Sequence, residues 1–78
     1  MNEVYIVTSI EYYGDEISSE LNEYHKTFAG AVRKALSEKR RYSKLGYTMK
    51  RYDKSWYGSD DCGEVRATVY IIKRPLED

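Results

Sequence analysis

From residue 3 to residue 13 the chain alternates. Val4, Ile6, Thr8, Ile10 and Tyr12 fall on one side, and Tyr5, Val7, Ser9, Glu11 and Tyr13 on the other. A period of two, filled with β-branched and aromatic residues, predicts a strand. Residues 64–74 predict a second strand, with Val65, Ala67, Val69 and Ile71 opposite Arg66, Thr68, Tyr70 and Ile72, and Pro75 ends it. After the first strand, Gly14-Asp15 supplies turn chemistry. Residues 16–25 fit two patterns. Ile17 and Leu21 are four apart, as on one helical turn, yet Ile17, Ser19, Leu21 and Glu23 also alternate with Ser18, Glu20, Asn22 and Tyr24. A turn directly before and a helix cap directly after favour the return strand of a hairpin.

Residues 27–42 show the helical period. At about 100° per residue, Phe28, Ala31, Val32, Ala35, Leu36 and Tyr42 share one broad arc. Arg33, Lys34, Ser37, Arg40 and Arg41 lie opposite, and Glu38 at the arc's edge can reach Lys34 or Arg41. Thr27 is the expected N-cap, while Gly30 stands where a glutamate would complete a capping box. Lys39, Arg40 and Arg41 suit the negative end of the helix dipole, with the Lys39 stem over the core edge, and Gly46 is the stop signal.

Residues 47–56 predict a strand with a fault in it. Tyr47 and Met49 have one parity and Tyr52 and Trp56 the other, which a β-bulge near Arg51 would reconcile. The following YGSDDCG has the composition of a loop. The element order is then ββαββ, or βαββ if residues 16–25 form no strand. Either describes a single α+β domain over residues 1–78, with one helix packed on a mostly antiparallel sheet. Strand order is not readable from the sequence.

Composition narrows the function. A chain of 78 residues holds one modest core, too small for a deep catalytic cleft. Its net charge of zero conceals segregation: −6 over residues 1–25, +8 over 26–54 and −2 over 55–78. No run reaches the length of a membrane span, the N-terminus has no basic leader, and the single cysteine excludes an internal disulfide. A cytoplasmic setting is expected.

Catalytic chemistry finds little to stand on. His25 and Cys62 occur once each with no metal-ligand spacing, and Asp60-Asp61 lacks the further oxygens of a calcium loop. No phosphate loop or triad signature occurs. The expectation is a protein that is not an enzyme and carries no cofactor or metal. The remaining constellation is basic and aromatic: Arg33, Lys34, Arg40, Arg41, Lys44, Lys50, Arg51 and Lys54, with Tyr52, Trp56 and Tyr57 among them. Cations beside rings serve single-strand binders, and arginine, tyrosine and tryptophan equally anchor protein interfaces. The balanced charge, with a pI of 6.6, favours a protein partner. Glu11, Asp15, Glu16, Glu20 and Glu23 form an alternative acidic surface able to mimic phosphates locally.

In size, in its lack of a catalytic signature and in its tyrosine-rich pattern of one helix on a sheet, the chain resembles the compact anti-defence proteins of phages and mobile elements, anti-CRISPR proteins among them. That resemblance implies a non-catalytic inhibitor, in the host cytoplasm, occupying a surface of a nucleic-acid-handling complex such as a CRISPR effector. Two other expectations stand beside it: an RNA or single-stranded DNA binder using the basic 33–54 tract, and a structural protein dimerising through its sheet edge. As a monomer or homodimer, the protein is expected to work away from membranes.

Overall fold

A computed structural model describes residues 3–75. Strands β1 (Glu3–Tyr13) and β2 (Glu16–His25) form the N-terminal hairpin, followed by helix α1 (Phe28–Lys44). Strands β3 (Thr48–Tyr52), β4 (Ser55–Ser59) and β5 (Val65–Pro75) complete the chain. All five strands join one antiparallel sheet in the order β2-β1-β5-β4-β3. The α+β class, the single helix and the N-terminal hairpin agree with the sequence pattern. The strand count does not, because the order is ββαβββ.

The difference lies in residues 47–59. The parity fault between Met49 and Trp56 is a hairpin turn at Asp53-Lys54, not a bulge at Arg51. Asp53 takes the left-handed conformation (φ 59°), which aspartate tolerates better than most residues. Because Tyr52 pairs with Ser55, the turn reverses the relation between parity and face. Tyr52 and Trp56, alike in parity, therefore point to opposite sides of the sheet. Tyr57, Gly58 and Ser59, expected in a loop, belong to β4.

Thr27 caps α1, its hydroxyl accepting from the Gly30 N–H at 3.0 Å. The helix ends in a Schellman motif: the Gly46 N–H donates to Ser43 O, and the Tyr47 N–H to Tyr42 O. Gly46, at φ 100°, makes that reversal possible. The Tyr42 and Tyr47 rings pack 5.4 Å apart across it.

The helix covers one face of the sheet. Ala31, Ala35, Glu38 and Tyr42 form its buried seam, narrower than the sequence arc, with Phe28 left half-exposed against the edge of Tyr5. Beneath the seam lie Val7 on β1, Ala67 and Val69 on β5 and Trp56 on β4. Ala31 and Ala35 present small side chains to this layer, where they pack with Val7, Ala67, Val69 and Trp56.

Among the described residues Glu38 is the one charged residue that is buried, 5% exposed. Its Oε1 accepts from Arg41 at 2.9 Å, and Lys34 lies 3.8 Å from Oε2. Nearby, the Ser9 and Tyr42 hydroxyls share a buried hydrogen bond of 2.8 Å. Burial pushes the Glu38 carboxyl up, but the hydrogen bond and charge of Arg41, the Ser9 hydroxyl and the charge of Lys34 outweigh it. The carboxyl is held below its ordinary value near 4.5. A depressed folded pKa contributes stability that is complete above the unfolded value and lost as pH falls through the folded one. Glu38→Gln is thus expected to flatten the acid limb of the stability curve below about pH 4.5. Urea unfolding measured at intervals down to acid pH checks this.

Candidate functional site

With α1 on one face, the other face of the sheet has no layer over it among the described residues. Cross-strand register specifies what it carries. Val4, Ile6, Thr8, Ile10 and Tyr12 of β1 stand opposite Arg74, Ile72, Tyr70, Thr68 and Arg66 of β5. Tyr24 of β2 pairs with Ile6, and Tyr57 of β4 with Thr68. Tyr52 of β3 pairs with Ser55, which in turn pairs with Tyr70. Each of the five strands therefore contributes one tyrosine to this face: Tyr24, Tyr12, Tyr70, Tyr57 and Tyr52. The remaining four of the nine, Tyr5, Tyr13, Tyr42 and Tyr47, lie on the helix side.

These open-face rings are accessible at the sheet's margins. Tyr24 and Tyr52 are 67% and 69% exposed and Tyr57 is 49% exposed. Tyr52 and Tyr57 meet edge to face with centroids 6.1 Å apart. The Arg66 guanidinium lies 5.7 Å from the Tyr12 ring centre and also donates to the Gly14 carbonyl at 2.9 Å. Between Tyr12 and Tyr57 runs an open groove of about 680 Å³, bordered also by Lys50, Thr48, Ser59, Arg66 and Thr68, with Gly58 and Ala67 completing its lining. At the centre of the face, Thr8 and Ile10 are buried by their neighbours, and the Thr8 hydroxyl donates to Asn22 Oδ1 at 2.8 Å.

The residues singled out in the sequence do not form one surface. Trp56 is a core residue, 7% exposed under the helix, and is withdrawn from any partner. Lys34 is held between Glu23 (3.4 Å) and Glu38, and Arg41 between Glu38 and the Tyr42 ring, 4.5 Å from its centre. Among the described residues Arg33, Arg40 and Lys44 enter no ion pair, and all three are exposed. Ser37, Arg40, Arg41 and Lys44 border a shallow hollow of about 280 Å³ on the helix. Arg51 donates to the Asp53 carbonyl at 3.1 Å, and Lys54 sits in the turn. Of these basic and aromatic residues only Lys50, Tyr52 and Tyr57 belong to the helix-free face, which Glu20 of the acidic set shares.

The acidic residues are likewise divided. Glu11 accepts from the Tyr47 hydroxyl at 2.6 Å, and burial followed by that contact raises the phenol well above its ordinary value, keeping it a donor. Glu23 serves Lys34 and His25. Glu20 accepts from Asn22, leaving Asp15 and Glu16 exposed at the hairpin turn.

His25 and Cys62 lie toward opposite ends of the sheet. His25 pairs with Tyr5, whereas Cys62 sits in the loop before Val65, which pairs with Tyr13. Eight residues along β1 span about 26 Å, so the two side chains do not form a site together. No group of three histidine, cysteine or carboxylate side chains able to hold a metal occurs among the described residues, and no helix there is long and apolar enough to cross a membrane.

Sequence reasoning missed Tyr12, Tyr24, Tyr70 and Arg66. The signal was present in the alternation of residues 4–12, 16–25 and 66–72, which places them together once those strands are paired. No family model, curated protein or solved structure matches the chain.

Proposed function

We propose that this chain is a non-catalytic binding protein that seats its helix-free sheet face on a nucleic-acid-handling complex. One observation carries this: every strand of the sheet delivers a tyrosine to the uncovered face, beside Ile6 and Ile72 and the cations Lys50 and Arg66. Tyrosine presents a broad apolar ring and a hydroxyl at a cost of only two side-chain torsions, and with arginine it dominates the energetic centres of interfaces. A folded chain gains little from an aromatic ring two-thirds exposed to water, so the rings on this face find their use in a partner.

Self-association through the β2 edge is disfavoured. β2 carries a register shift opposite Glu11/Tyr12 and three acids, Glu16, Glu20 and Glu23, which pairing with a copy would bring into mutual proximity. Anti-CRISPR proteins, which this chain resembles in size and architecture, make a CRISPR effector the first complex to offer it.

The test compares two double variants in capture from host cells, with the retained proteins identified by mass spectrometry. Tyr52→Ser with Tyr57→Ser is expected to lower retention of the complex at least tenfold, since buried interface tyrosines commonly contribute about 2 kcal/mol each. Its melting temperature should stay within a few degrees, because both rings are substantially exposed. Arg40→Glu with Arg41→Glu should retain the complex while melting lower, through loss of the Arg41–Glu38 pair. The reverse outcome would assign the interface to the basic helix.

A further inference from the structure

We infer that the groove between Tyr12 and Tyr57 is a subsite for single-stranded nucleic acid, with bases on the tyrosine rings and phosphates on Lys50 and Arg66. This rests on the reading of the helix-free face as the binding surface and names what it touches within such a complex: the exposed strand.

The lining carries the inference. It contains two cations, two aromatic rings and the hydroxyls of Thr48, Ser59 and Thr68, and no acidic side chain, in a protein whose acids equal its cations in number. The acids lie elsewhere, with Glu11, Glu23 and Glu38 on the helix side, where they engage Tyr47, Lys34 and Arg41. Glu20 shares the helix-free face but stands on β2, opposite Ile10, so the groove itself is bordered by positive charge alone.

The cations are placed for anions. Lys50 is exposed and enters no ion pair among the described residues. Arg66 donates one amino group to the Gly14 carbonyl, which fixes the guanidinium over Tyr12 while leaving further N–H donors available. Unpaired bases stack on aromatic side chains without regard to sequence, whereas a duplex keeps its bases stacked on one another. An open, shallow groove on a sheet suits a strand running across it. A protein partner's acidic segment would meet the same cations but would make no use of two ring faces.

The experiment titrates the full chain into a fluorescein-labelled oligouridine of about ten nucleotides, read by anisotropy, with a duplex as a second probe. Saturable binding to the single strand is expected, weakening about fivefold to tenfold between roughly 50 and 200 mM salt, as two phosphate contacts require. The duplex should bind at least tenfold more weakly. Tyr57→Ala should weaken single-strand binding by about tenfold or more, and Tyr57→Phe should restore it, because stacking needs the ring and not the hydroxyl. Lys50→Ala should remove about half of the salt dependence. Circular dichroism establishes that each variant is folded.

Absence of single-strand binding at low salt overturns the inference, as does binding that folded Tyr57→Ala and Lys50→Ala leave unchanged. If the oligonucleotide fails while the Tyr52/Tyr57 variant still loses the captured complex, the strand assignment falls and the binding face stands, engaged by protein. Failure of both removes both.

Discussion

Tyr42→Ala is expected to cost about 3–5 kcal/mol, the typical loss when a large aromatic side chain is deleted from a core. Tyr42 is 1% exposed, the largest of the fully buried side chains. Three contacts depend on it at once. Its ring packs 5.4 Å from that of Tyr47 across the helix C-terminus, the Arg41 guanidinium lies over it, and its hydroxyl bonds Ser9 on the central strand. A domain of this length has a stability of about 4–12 kcal/mol, so the variant would be largely unfolded at physiological temperature if the total lies toward the lower end. Tyr42→Phe separates the ring from the hydroxyl. It should cost only about 0.5–1.5 kcal/mol, for the lost Ser9–Tyr42 hydrogen bond, since the Ser9 hydroxyl keeps the Glu38 carboxylate beside it. Urea unfolding of the three proteins gives both numbers. An alanine variant within about 1 kcal/mol of the parent would mean the helix is not anchored here.

Gly58→Ala is expected to be nearly as damaging, by a different route. A Cβ at position 58 would lie 2.0 Å from the Thr48 carbonyl oxygen and 2.7 Å from its carbonyl carbon. Both are backbone atoms of the neighbouring strand, so no side-chain rotation relieves the overlap and β3 must move away from β4. Several kcal/mol and a fall of at least about 10 °C in Tm should follow. Amide exchange should quicken most along β3 and β4. Gly63→Ala is the control: its Cβ meets open space, and only the left-handed φ of 76° opposes it, for about 1 kcal/mol. Equal losses in the two variants would show that the close approach at Gly58 carries no weight.

Gly58 also shows where the sequence stops being readable. In YGSDDCG a glycine has the appearance of loop punctuation, yet here it lies where a Cβ would overlap the backbone of the neighbouring strand. The turn that produced the error, Asp53-Lys54, contains neither glycine nor asparagine, and only the backbone angle of Asp53 betrays it. By contrast, β1 and α1 were legible because their periods are unbroken and their ends carry local chemistry: Gly14 after β1, Thr27 before α1 and Gly46 after it. The candidate site was the least legible part. Alternation divides each strand into two sides but does not say which side the helix will cover, and Tyr12, Tyr24, Tyr52, Tyr57 and Tyr70 span most of the chain before register assembles them. The basic helix, prominent in sequence, is partly committed to holding the fold together through Lys34, Glu38 and Arg41.

Hydrogen–deuterium exchange of the chain, free and in complex with its captured partner or the single strand, tests the central claim most directly. If the helix-free face binds, new protection will concentrate in β3, β4 and the adjoining half of β5, around Tyr52, Tyr57 and Arg66. The amides of α1 around Arg33 and Arg40 should then exchange as they do in the free protein. Protection confined to α1, with β3 and β4 unchanged, would contradict the account and make the basic helix the binding surface.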